Sequence, residues 1–208
     1  MNKKELEILL SKLKRFENPK VKLEQYATDA TIAADALWNA HIDKNIKDKV
    51  IADLGSGPGI FGLGALVLGA KKVHFVELDK EAMSLAKKNR RKVESLIGKK
   101  VNADFFNLDI KDFDKQVDLV IQNPPFGTKE THVDKLFLIK AMDLAKKIYS
   151  FHKLSTREFV RKFVGENNFK IEKMYKYQFP LKQEFWFHTS LTKYIDVGCW
   201  YLKRKANK

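Results

Sequence analysis

Residues 121–130 read IQNPPFGTKE, and two side chains in that stretch could do chemistry. Asn123 carries an amide oxygen that accepts hydrogen bonds. Phe126 carries a ring on which a flat ligand can stack. Pro124 and Pro125, between them, each fix φ and lack an N–H, so the stretch is neither helix interior nor central strand. The preceding VDLVI (117–121) is apolar and largely β-branched, as in a buried strand. The chain therefore leaves a strand and enters a stiff turn that holds an acceptor and a ring in place. A second group lies in DLGSGPG (53–59). Gly55, Gly57 and Gly59 let backbone approach a ligand closely and turn sharply into a helix, and Pro58 stiffens the loop. Asp53 stands two residues before the first glycine. Glu77, 22 residues beyond Gly55, ends the next strand, where an acidic residue meets ribose hydroxyls in nucleotide-binding sheets. No Gly-Lys-Ser/Thr follows the loop, which excludes a P-loop; a nicotinamide cofactor stays open on the glycines alone.

Both groups resemble known motifs. D-L-G-x-G-x-G resembles motif I of class I S-adenosylmethionine (SAM) methyltransferases. That resemblance implies that the loop packs under the amino-acid part of SAM, that Glu77 holds the ribose, and that Asp109 meets the adenine amine. Asp79 reads instead as a helix N-cap. NPPF resembles the [DNS]-PP-[YF] motif of methyltransferases acting on adenine N6, cytosine N4 or glutamine N5. It implies that Asn123, Pro124, Pro125 and Phe126 form the catalytic turn. The chemistry agrees. An exocyclic amine is a poor nucleophile because its lone pair is delocalised into the ring. Acceptors aimed at its N–H groups, the Asn123 oxygen and the Pro124 carbonyl, favour a pyramidal nitrogen with an exposed lone pair. The prolines hold those acceptors still, so little reorganisation accompanies charge development. Stacking on Phe126 is worth about 1–3 kcal/mol per base.

The elements that must position these groups follow from periodicity. A helix is expected over 2–15, and ENPK (17–20) breaks it. Thr28 or Asp29 caps a second helix. Strands are expected to end near Leu54 and to cover 72–78, 117–121 and 148–152, with a further strand and its exit loop over 101–109 and helices over 64–70, from 80 onward and over 133–147. STRE (155–158) has the form of a capping box for a further helix. Two alternating segments near the C-terminus pair as a hairpin. Strand–helix alternation means a parallel sheet covered on both faces. The fold class is α/β: a Rossmann-like, seven-stranded, mostly parallel sheet with a C-terminal antiparallel hairpin. The 208 residues suit one domain, with residues 1–45 as a helical segment that contributes to the cofactor site.

The chain carries 40 Lys+Arg against 26 Asp+Glu, a net charge of +14. An excess of that size in a small domain favours an anionic polymer partner. The one cysteine, Cys199, rules out an internal disulfide and a thiolate zinc site. No apolar run approaches the ~20 residues of a membrane span. A cytoplasmic RNA-acting protein is expected, with no membrane and no metal.

Four blocks narrow the substrate. LEQYATDATIAADALW (23–38), VIADLGSGPGIFGLGALVLGA (50–70), NPPFGTK (123–129) and YSFHKLSTRE (149–158) together resemble the methyltransferase-like-five family. Members methylate one adenine N6 in small-subunit rRNA. The resemblance implies that Gln25 and Thr28 reach the SAM site from the N-terminal segment. It implies that Gly55, Gly57, Pro58, Gly59 and Ile60 line the site from the loop, with Asp53 behind them. Glu77, Asp109 and Ile110 then hold ribose and adenine, and Asn123 borders the same site. Two positions depart from the eukaryotic pattern: Pro58, where cysteine is common, and Glu77, where aspartate is common. His152 and Lys153, with Arg157 and Lys129, are candidate RNA contacts. The resemblance also implies a possible partner, a small zinc-containing activator protein that adds to a sheet edge. The rival activities are a protein glutamine-N5 methyltransferase, a DNA adenine methyltransferase, and a non-catalytic RNA-binding protein on this scaffold. Phe126 and the basic charge weigh against the first, and the lack of room for a target-recognition domain against the second. An intact Asn123 and Gly55 weigh against the third.

Overall fold

The computed structural model describes residues 1–16, 20, 25, 28–126, 133–181 and 193–206. Its strands are β1 (Val50–Leu54), β2 (Lys72–Val76), β3 (Ala103–Phe106), β4 (Leu119–Gln122), β5 (Lys147–Lys153), β6 (Phe169–Leu181) and β7 (Lys193–Arg204). They form one sheet in the order β3-β2-β1-β4-β5-β7-β6. The first five pair in parallel. β7 runs antiparallel to both β5 and β6, which completes the sheet as the alternating C-terminal segments require.

The chain works outward from β1 to β3 and then returns to β4 on the other side of β1. Ligands in open α/β sheets sit at the carboxyl ends of the strands flanking such a reversal. Leu54 pairs with Gln122 at those ends. Gly55 and Asn123 are the next residues along, so register alone brings the glycine loop beside the proline turn.

Helices α1 (Lys3–Ser11), α2 (Ala30–Ile42), α3 (Ile60–Val67) and α4 (Lys80–Ile97) share one core, with Ile121, Tyr149 and Phe151 from the sheet. Helices α5 (Val133–Leu144) and α6 (Arg157–Glu166) share the other, with Val120, Ile148 and Trp200. Alternate residues of β4 and β5 thus enter opposite cores, as a period of two dictates. Among the described residues, no helix is long and apolar enough to cross a membrane.

Several boundaries differ from expectation. α1 ends at Ser11 and not at residue 15. It opens on a capping box, in which the Asn2 side chain accepts from Glu5 N–H and the Glu5 carboxylate accepts from Asn2 N–H. Asp29, not Thr28, caps α2 by accepting from Thr31 N–H at 2.8 Å. The box expected at 155–158 does not form. A 3₁₀ turn (Leu154–Thr156) intervenes, the Thr156 hydroxyl donates to the Lys153 carbonyl, and α6 starts at Arg157 with no side-chain cap. β2 is shorter than expected, which leaves Glu77 in the loop beyond its end, while Asp109 lies in the loop after β3, as expected.

Candidate active site

The loop leaving β1 has Gly55 at φ 64° and Gly57 at φ 53°. A Cβ on Gly55 would stand 3.0 Å from Phe137 Cε1, and one on Gly57 would stand 3.3 Å from Phe16 Cζ. Backbone conformation and space both select glycine at these two positions. Gly59 takes the N-cap position of α3 and packs on Phe75, under the loop. Asp53 is buried, and its Oδ2 accepts from Gly62 N–H at 2.8 Å. Burial pushes its carboxyl up to about 8; the Gly62 bond opposes that rise and the charge of Glu77 adds to it. Asp53 therefore ties β1 to α3 from below.

Glu77 braces the loop from β2. Its Oε2 accepts from Gly57 N–H at 2.8 Å and its Oε1 from Asp79 N–H at 2.9 Å. Burial raises its pKa, against the pull of those bonds. Asp79 caps α4, as its sequence context indicates, by accepting from Glu81 N–H. It also accepts from Gln25 Nε2 at 2.6 Å and Lys20 Nζ at 3.0 Å. Burial would raise its pKa, but these bonds outweigh burial and hold the carboxyl below its ordinary value.

A cavity of about 280 Å³ opens where these elements meet. The glycine loop lines it with Gly55, Ser56, Gly57 and Pro58, and α3 with Ile60 and Phe61. Glu77 and Leu78 enter from the end of β2, Asp109 and Ile110 from the turn after β3. Phe16, Gln25 and Thr28 close it from the N-terminal segment, and Asn123 and Pro125 from the turn after β4. Val133, Leu136 and Phe137 of α5 complete the wall. The residues fit an adenosyl ligand with a charged amino-acid end. Glu77 and Asp109 offer acceptors, the apolar walls suit a purine, and the glycines would admit close backbone contact. The Ser56 hydroxyl is buried, lines the cavity and has no partner among the described residues, so it adds an unused polar group at the loop.

Asn123 borders this cavity, and its Nδ2 donates to the Thr28 hydroxyl at 3.0 Å. Pro124 is buried in the same turn, between two residues that line the cavity. Phe126 stands outside it, edge-to-face with Phe179 at 6.0 Å between ring centres, with the Lys153 ammonium 5.8 Å from its own centre.

Ten of the twelve sequence-derived cofactor candidates line the cavity; Asp53 and Gly59 do not. The expectation that His152 contacts RNA is corrected. The ring is 2% exposed, its Nε2 lies 2.7 Å from the Ser150 hydroxyl, and burial pushes its pKa down to about 3. Ser150 in turn accepts from Gln122 Nε2 at 2.9 Å, so His152 ends a buried polar row that runs to the end of β4. Lys153 and Arg157 are accessible, with Arg157 paired to Glu158. Lys129 lies outside the described residues.

Sequence reasoning missed the rings of Phe16 and Phe137, the Ser56 hydroxyl and Asn89. Asn89, inside the basic run 87–92, donates to the carbonyls of Lys14 and Pro58 and accepts from Lys14 N–H. Its spacing from Ala82, Ala86 and Val93, all buried on α4, was the available signal.

The chain matches the family "Methyltransferase small domain" over residues 26–147. It is 38% identical to an uncharacterised protein of Methanocaldococcus jannaschii, over 95% of this chain and 92% of that one. It is 34% identical to rRNA N(6)-adenosine-methyltransferase METTL5 of Danio rerio, over 95% of each. The chain belongs to the METTL5 family. The structure agrees: a Pyrococcus horikoshii protein described as a candidate RNA methyltransferase superposes with a TM-score of 0.86 at 38% identity, over 98% of both chains. Membership in the METTL5 family makes this a SAM-dependent methyltransferase.

Proposed function

We propose that this protein methylates the exocyclic N6 of an unpaired or flipped-out adenine in small-subunit rRNA. The observation that carries the proposal is the Asn123 amide, bonded to Thr28 at the border of the cavity. Bound SAM supplies an electrophilic methyl group on a sulfonium. Glu77 accepts from the ribose hydroxyls and Asp109 from the adenine amine of the cofactor. The Asn123 side-chain oxygen and the Pro124 carbonyl accept from the two N–H bonds of the target amine. They stabilise the positive charge that develops on nitrogen, in positions the prolines have already fixed. No side-chain base is required, since the nitrogen becomes acidic only once it is alkylated. His152, buried and held to about 3, is a poor base in any case.

Phe126 stacks the target base, and Lys153 and Arg157 meet phosphate. The net charge of +14 supplies salt-dependent attraction to RNA. A small zinc-containing activator would add a strand to β3, whose outer edge no strand pairs among the described residues. The test is incubation with labelled SAM and total RNA from cells lacking the enzyme. Label in small-subunit rRNA is expected; label in protein or DNA instead would overturn the proposal.

A further inference from the structure

A side-chain contact that spans 95 residues of sequence joins two parts of the candidate site. Asn123 Nδ2 donates to Thr28 Oγ1 at 3.0 Å. Thr28 is 6% exposed and lies on the border of the cofactor cavity. It directly precedes Asp29, the N-cap of α2, whose carboxylate fixes the first turn by accepting from Thr31 N–H. α2 in turn buries Ile32, Ala33, Ala36 and Leu37 in the larger core. The Thr28 hydroxyl is therefore anchored to a rigid element and not to a loose segment.

The turn after β4 fixes the Asn123 backbone, and the bond to Thr28 ties its side chain to the start of α2. We infer that Thr28 is a positioning residue for methyl transfer, which holds the Asn123 amide in place at the border of the cavity. The inference rests on the proposed role of Asn123. It also makes the segment before α2 part of the catalytic apparatus as well as a wall of the cofactor site. Displacements of about 1 Å at such a site cost roughly 100-fold in rate.

Thr28→Val keeps the shape and removes the hydroxyl; Thr28→Ser keeps the hydroxyl. Turnover at saturating SAM and RNA, and SAM affinity by calorimetry, are measured for both variants, for Thr28→Ala and for Asn123→Ala. The expected result is a fall in kcat of roughly 10- to 100-fold for Thr28→Val and Thr28→Ala. SAM affinity should change by less than that, and Thr28→Ser should restore most of kcat. Thermal melting identifies any variant that fails to fold, and Thr28→Ala stands in for Thr28→Val if needed. Unchanged kcat with weakened SAM binding would make Thr28 a cofactor contact only and overturn the inference. Failure of Thr28→Ser to recover activity would also overturn it. If Asn123→Ala itself stays active, the role given to Asn123 fails; if that variant is inactive while Thr28→Val is not, only the positioning role fails.

Discussion

The ammonium of Lys153 stands 5.8 Å from the centre of the Phe126 ring, at the rim of the proline turn. Phe179 stands edge-on to the same ring. A cation and an aromatic ring are thus combined beside the turn proposed to receive the target base, on residues that sit 27 apart in sequence.

Removing the ring should separate base stacking from charge. Phe126→Ala is expected to weaken RNA binding by about 1–3 kcal/mol, the usual worth of one stacked base, with SAM affinity unchanged. Lys153→Ala should instead reduce the slope of log affinity against log salt by about one. Titrations of a labelled RNA at several salt concentrations check both.

Glu77 holds the loop and faces the cavity, so Glu77→Ala should lose twice. Hydrogen bonds to charged groups are worth about 1.5–3 kcal/mol, which corresponds to a loss of SAM affinity of roughly 10- to 150-fold. Ser56→Ala should cost less, because a neutral hydroxyl contributes about 1 kcal/mol. Calorimetric titration with SAM ranks the two.

His152 should make stability depend on pH. In the unfolded chain it takes up a proton as pH falls through 6.5, whereas burial delays this to about 3 in the folded one. The stability it contributes is present above pH 6.5 and is lost as pH falls toward 3. Over that window the slope from this group is about 1.4 kcal/mol per pH unit, one proton's worth. His152→Asn should remove that slope. Denaturant unfolding at a series of pH values measures it, and the opposite contribution of Asp53, whose raised pKa costs stability as pH rises toward 8, cancels in the difference between proteins.

Gly62 should tolerate no side chain. A Cβ there would stand 2.4 Å from Phe75 Cε1 and 2.9 Å from Val73 Cγ1, where α3 lies closest to the sheet. Gly62→Ala is expected to destabilise by about 1–3 kcal/mol through overpacking, or more if the Asp53 bond is broken with it. A lower denaturation midpoint at constant m-value is the readout.

The parts legible in the sequence were those with a local cause. Proline and glycine restrict the backbone by themselves, so the turn after β4 and the loop after β1 could be read directly, and β1–β4 register brings them together. Asp79 announced itself as an N-cap by its neighbours. What was hidden depends on which face of an element meets what. His152 looked accessible because it ends a strand, yet it shares a face with Ser150 in a central strand that is covered on both sides. Asn89 sits in a run of cations but points the other way, into the helix–loop junction. Phe16 and Phe137 reach the glycines from distant segments, and nothing local to either marks the approach. The capping box at 155–158 failed because a 3₁₀ turn used the same residues first.

The central claim is the identity of the methylated atom. The purified protein should be incubated with SAM and small-subunit RNA from cells lacking the enzyme, and the RNA digested to nucleosides for mass spectrometry. N6-methyladenosine is expected with the wild-type protein and none with Asn123→Ala, although that variant should still bind SAM. Methylated cytidine, 2′-O-methyl nucleosides, or N6-methyladenosine formed by Asn123→Ala at the wild-type rate would contradict it.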